Sequence, residues 1–192
     1  MSTRGKLIVL SGPSGSGKST VIDRLLEQTP LPLEISASMT TRPPRGDDQH
    51  AKQYIYLSHA EFARARDAGE LLECAEVSGH WYGTPRGPVE QALAAGRSVL
   101  LEIDVQGGMA VRKLFPDCVM IFLKARSLEE YELRIRRRGT NSEEEIERRL
   151  AAARRELAMA SEYDFQVVND DLEKAVVEIR QILSRCGGTA CA

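Results

Sequence analysis

The chain has 192 residues, of which 42% are hydrophobic and 28% charged, and a formal net charge of -2. That length builds one core, with inserted subdomains at most, and the composition needs no disulfide or metal staple. So small a net charge excludes a global basic field that would recruit nucleic acid or an anionic membrane. The apolar run in "MSTRGKLIVLSG" is too short for a signal peptide or a membrane span, and no other stretch approaches spanning length. Cys74, Cys118, Cys186 and Cys191 show no Cys-x-x-Cys spacing and no histidine at ligand spacing. They read as free thiols of a reducing compartment, which predicts a cytoplasmic protein with neither nucleic acid nor membrane as partner.

In chain order, Leu7 to Leu10 are four adjacent apolar residues, the pattern of a strand covered on both faces. A glycine-rich loop, "SGPSGSGKST" (11–20), follows, and then Val21, Ile22, Leu25 and Leu26 recur at helical spacing. Residues 34 to 86 break the alternation. "EISASMT", "QYIYLS" and "LLECAEVSGHWYG" read as short strands of a small, mostly β insertion over the sheet's edge, with a capping box at Ser58-x-x-Glu61. "RSVLLEID" (97–104) and "CVMIFLKA" (118–125) are further buried strands. Capping boxes at Ser127-x-x-Glu130 and Ser142-x-x-Glu145 open helices, the second with Ile146, Leu150, Ala153 and Leu157 on one face. "DFQVVND" (164–170) is a fourth strand, residues 172–183 a closing helix, and "GGTACA" a tail. Strands alternating with helices predict an α/β fold with a doubly wound parallel sheet.

Gly12-x4-Gly17-Lys18-Ser19 between strand and helix is the spacing of a loop that cradles phosphates. Its glycines let successive amides turn inward, the helix start adds positive potential, Lys18 can bridge the β- and γ-phosphates, and Ser19 can offer its hydroxyl to Mg2+. Glu102 and Asp104 close the strand "RSVLLEID" on one face. Glu102 is expected to reach the metal shell through water.

"RIRRRGT" (134–140) and "RRLAAARR" (148–155) are rich in arginine but poor in stacking aromatics and flanked by acids, which favours a mobile lid over a nucleic-acid patch. Arg134 and Arg138 share a helix face, and Arg149 enters from the next helix; fixed guanidinium groups suit phosphoryl transfer. In the insertion, "SMTTRPPRG" holds Arg42 and Arg45 around two stiff prolines, a pair suited to gripping a phosphate dianion. Tyr54 and Tyr82 can donate hydroxyls to it. Glu73 is an acid in an apolar strand, able to accept from the ring N–H and the amino group of guanine, a pair that adenine does not offer.

Taken together, "GPSGSGKST", "SMTTRPPRG", "YGTPRG", "EIDVQG", "RGT" and "VVNDDL" resemble the bacterial guanylate kinases over about residues 5 to 183. The resemblance implies a P-loop core, a GMP-binding β subdomain and a lid. They map to residues 1–33, 87–125 and 160–186 (core), 34–86 (GMP subdomain) and 126–159 (lid), with 187–192 as a tail. It implies transfer of the γ-phosphate of ATP to GMP with Mg2+, and it admits dGMP. Gly12, Pro13, Ser14, Gly15, Ser16, Gly17, Lys18, Ser19 and Thr20 would hold ATP, with Asn169 near adenine. Ser38, Arg42, Arg45, Tyr54 and Tyr82 would line the GMP phosphate, and Glu73, Thr84 and Asp104 would face guanine. Lys18, Arg134, Arg138 and Arg149 would serve the phosphate in flight, while Ser19 and Glu102 serve the metal. Trp81 is expected to pack. Two other readings stand beside this one: a kinase of a ribose bisphosphate, and a non-catalytic module that binds phosphopeptides. The oligomeric state is not readable.

Overall fold

The computed structural model describes residues 4–28, 33–44, 54–137 and 142–186. Its elements in order are β1 (Leu7–Ser11), α1 (Lys18–Gln28), β2 (Leu33–Ile35), β3 (Ser38–Thr40), β4 (Tyr54–Tyr56), α2 (His59–Asp67), β5 (Leu71–Val77) and β6 (His80–Pro85). There follow α3 (Arg86–Ala94), β7 (Ser98–Glu102), α4 (Val105–Leu114), β8 (Val119–Lys124), α5 (Leu128–Arg137), α6 (Glu143–Ala158), β9 (Phe165–Val168) and α7 (Leu172–Cys186). No described helix is long and apolar enough to cross a membrane.

Five strands in the order β2-β7-β1-β8-β9 make a wholly parallel sheet. Both faces of such a sheet must be covered, and the side-chain alternation of each strand divides the core in two. Leu7, Val9, Val99, Leu101, Met120 and Phe122 pack under α3 and α4 through Val89, Leu93 and Val111. Ile8, Leu10, Leu100, Ile121 and Leu123 pack under α1 and α7 through Val21, Ile22, Leu25, Val176 and Ile179. Leu101 is fully buried, so truncating it to alanine would cost about 2–5 kcal/mol. The central strand β1 runs straight into the glycine-rich loop, so this core anchors the loop's first residue.

A second sheet, in the order β4-β3-β6-β5, stands beside the first. Its β5–β6 hairpin is antiparallel, with Glu73 opposite Thr84 and Ala75 opposite Tyr82, and a bulge between Leu71 and Glu73. The bulge sets the phase of β5 so that Glu73, Ala75 and Val77 share one face. Helix α2 closes the unit. It begins with the capping box of Ser58 and Glu61 and buries Phe62 against Trp81, ring centroids 5.9 Å apart. The stretch "EISASMT", expected as one strand, is two: Leu33–Ile35 pairs with β7 in the large sheet, and Ser38–Thr40 with β4 and β6 in the small one. Ser36 and Ala37 carry the chain from one sheet to the other.

The third expected capping box, at Ser142 and Glu145, opens α6. At the start of α5, Glu130 accepts from the amide of Arg126 at 3.1 Å.

Candidate active site

The loop between β1 and α1 is held from three sides. Gly12 has φ +149°, and a Cβ there would lie 2.0 Å from the carbonyl oxygen of Leu123 on β8. At Gly17, with φ +91°, a Cβ would meet Asn169 Nδ2 at 2.5 Å. Only glycine meets both demands, a left-handed backbone and a neighbour in contact. Asn169, just past the end of β9, donates through Nδ2 to the carbonyl of Ser16 at 2.8 Å. Arg134 of α5 donates to the carbonyls of Gly15 (3.4 Å), Ser16 (3.3 Å) and Asn169 (2.6 Å) and meets Glu130 at 3.4 Å. Arg134 and Asn169 thus hold the carbonyls of Gly15 and Ser16, while the Ser16 amide closes a turn onto the Pro13 carbonyl at 3.0 Å. Lys18 Nζ donates to the carbonyls of Gly12 (2.6 Å) and Pro13 (3.3 Å) and so lies over the loop.

A cavity of about 220 Å³ lies between this loop, the β5–β6 hairpin, the end of β7 and helix α6. Gly12, Ser14, Lys18, Ser38, Tyr54, Glu73, Tyr82, Glu102 and Asp104 all line it. The structure therefore brings residues from both sheets, up to 92 positions apart in the chain, to one space. Thr84 stands behind the lining, only 1% exposed, and donates to Glu73 Oε1 at 2.6 Å. Asp104 caps α4, its Oδ1 accepting from the amide of Gly107 at 2.9 Å and its carbonyl from Ser11 Oγ at 3.3 Å.

Arg42 is buried, its guanidinium 5.1 Å from the ring centroid of Tyr54 and 5.9 Å from that of Tyr56, and it donates to the carbonyl of Pro43 at 2.9 Å. Two aromatic faces thus hold one cation in place. Arg149 lies half-buried on α6, and Thr20 is in the first turn of α1. Arg45 and Arg138 lie outside the described residues. Trp81 stacks against Phe62 and Arg66 and does not line the cavity.

Ser19 Oγ donates to Glu102 Oε1 at 2.9 Å. A hydroxyl and a carboxylate side by side are hard oxygen donors that suit Mg2+. No cluster of three or more His, Cys, Asp or Glu among the described residues could hold a metal ion. An ion at Ser19 and Glu102 would therefore complete its shell with phosphate and water oxygens.

Sequence reasoning missed two residues here. Glu156 of α6 lines the same cavity. Burial pushes its carboxyl up to about 7, Asp104 adds to the rise, and Lys18 and Arg155 oppose it. A signal was present, because Glu156 follows Ala153 by three and precedes Ala160 by four, an acid inside the apolar stripe. Tyr56 gave no such signal.

The guanylate kinase family model matches residues 4–186. A guanylate kinase of Rubrobacter xylanophilus is 50% identical over 190 residues, covering 98% of this chain and 99% of that protein. One from Synechococcus sp. (strain JA-3-3Ab) is 48% identical, over 94% of this chain and 83% of its own. The crystal structure of guanylate kinase from Anaplasma phagocytophilum superposes with a TM-score of 0.79 at 34% identity, covering 98% of this chain and 89% of that one. The loop, the five parallel strands behind it and a match over nearly the full length agree: the chain belongs to the guanylate kinase family, with its P-loop α/β fold.

Proposed function

We propose that this protein transfers the γ-phosphate of ATP to GMP, giving ADP and GDP. The observation that carries the proposal is the shared cavity, where Lys18 of the phosphate loop faces the Glu73–Thr84 pair of the small sheet. ATP binds along residues 12–20, with its phosphates on the loop amides and adenine towards Asn169. GMP binds in residues 34–86, its phosphate against Ser38, Arg42, Arg45, Tyr54 and Tyr82. Its base lies against Glu73, Thr84 and Asp104. With Oε1 already accepting from Thr84, Glu73 is oriented to take the two adjacent guanine N–H groups, a pairing that rejects adenine.

A GMP phosphate oxygen attacks the γ-phosphorus in line. It is anionic near neutral pH, so no strong general base is required. Lys18 follows the transferred group, and Arg134, Arg138 and Arg149 close on it from 126–159, Arg134 starting from the loop carbonyls it braces. Closure excludes water and limits hydrolysis of ATP. Ser19, with Glu102 through water, would hold Mg2+, which supplies charge neutralisation across the phosphates. Free nucleotides as substrates fit a cytoplasmic enzyme.

The test is ADP release from ATP and Mg2+ with GMP, AMP, UMP, CMP or ribose 1,5-bisphosphate offered separately. Turnover with GMP alone is expected. Turnover with the ribose bisphosphate would discard the guanine-reading role, and no turnover by folded protein would point to a non-catalytic binding module.

A further inference from the structure

Helix α4 begins after Asp104, and its third residue, Gly107, lies between the two acids assigned to guanine. The amide of Gly107 donates to Asp104 Oδ1 at 2.9 Å. On its other side, Glu73 occupies the space where a side chain would stand. A Cβ on Gly107 would lie 2.5 Å from Glu73 Oε2, 3.1 Å from its Cδ and 3.2 Å from Asp104 Oδ1.

Nothing in the backbone calls for glycine here, because Gly107 is helical and is not among the positive-φ residues. Within a helix alanine is the better former. What the missing methyl provides is contact between β5 and α4 at the carboxylate. Glu73 Oε1 is tied to Thr84 Oγ1 at 2.6 Å, so the carboxylate cannot swing away from a new methyl without giving up that bond.

We propose that Gly107 is a positioning residue for guanine selection, its bare Cα forming the seat that holds the Glu73 carboxylate beside Asp104. The proposal rests on the reading of Glu73 as the guanine acceptor. A methyl group would push Oε2 out by about 1 Å before ordinary contact is restored. The hydrogen bonds to the base would lengthen and misalign, while the fold and the ATP loop would be left as they are.

The experiment compares the parent, Gly107→Ala, Glu73→Gln, Glu73→Ala and the Gly107→Ala/Glu73→Ala pair by steady-state kinetics, GMP titration calorimetry and thermal unfolding. Gly107→Ala should keep the Tm or raise it by up to about 2 °C. Its KM and Kd for GMP should rise about tenfold, with KM for ATP within about twofold of the parent. Combined with Glu73→Ala, which empties the seat, it should add nothing further to the KM for GMP. Three results would overturn the proposal: an unchanged KM for GMP while Glu73→Gln raises it, a joint loss of Tm and of affinity for both nucleotides, or a full effect persisting without the Glu73 carboxylate. If Glu73→Gln and Glu73→Ala themselves leave GMP use unchanged, the guanine assignment of Glu73 fails first and takes the seat with it.

Discussion

Glu156→Gln should stabilise the protein above neutral pH and do little in mild acid. Glu156 is half-buried on α6, facing Lys18 of α1 and Asp104 at the head of α4, with Arg155 beside it. Burial dominates, and its carboxyl rises from 4.5 to about 7. Between these values the folded chain keeps a proton that the unfolded chain has lost. Stability from this group is therefore complete below about pH 4.5, declines as pH rises and is gone above about 7. Glutamine, neutral at every pH, escapes that decline. The displacement sets a ceiling of about 3 kcal/mol, and partial exposure to solvent reduces it to roughly half. A gain of ~1.5 kcal/mol raises the Tm of a chain this long by about 3–6 °C. Thermal unfolding of parent and variant without nucleotide, followed by circular dichroism, should show that rise at pH 8 and about a quarter of it at pH 5. An equal gain at both pH values would mean that packing, not ionisation, sets the difference. A loss at pH 8 would mean that attraction to the Lys18 charge outweighs burial, which would refute the reasoning.

Lys18→Ala should lower kcat by about a thousandfold or more while leaving the Kd for GMP within about twofold; comparable losses in both would remove Lys18 from the transferred phosphate. Asn169→Ala should cost about 1–3 kcal/mol in denaturant unfolding, because the buried Ser16 carbonyl loses its 2.8 Å donor. In kinetics it should raise the KM for ATP and not that for GMP. Gly12→Ala drives a methyl group into the Leu123 carbonyl at an unfavourable φ. It should lower the Tm, read by calorimetry, by about 6 °C or more, and a Tm equal to the parent's would show the loop more yielding than its contacts imply.

Much of the core is legible in the sequence because its signals are local. Four apolar runs give β1, β7, β8 and β9, and the capping boxes at Ser58 and Ser142 locate two helix starts to the residue. Helices α3 and α4 are not legible. One opens on Arg-Gly-Pro and the other carries Gly107 and Gly108 in its first turns, both of which local preference scores against a helix. In α4 the Asp104 cap overrides that preference. The site divides in the same way. The phosphate loop is a contiguous string, so spacing alone reveals it. The seat at Gly107, the stacking of Arg42 on Tyr56 and the burial of Glu156 each arise from elements that meet only in three dimensions. The role of Arg134 is of that kind too, since no spacing relates it to Gly15, 119 positions earlier.

Four strands of the large sheet bring the site to one rim through their C-terminal ends, at Ser11, Glu102, Lys124 and Val168. Their starts, around Arg4 to Leu7 and Phe115 to Cys118, lie at the other rim, about 16 Å away along the five residues of β1. Asp117 is exposed there, whereas neighbouring Cys118 is buried, which pushes its thiol up and slows its alkylation at neutral pH. A dye or surface tether carried on a cysteine introduced at position 117 would therefore stand clear of both nucleotides. The chain can be immobilised from that rim, with the length of the strands between label and reaction.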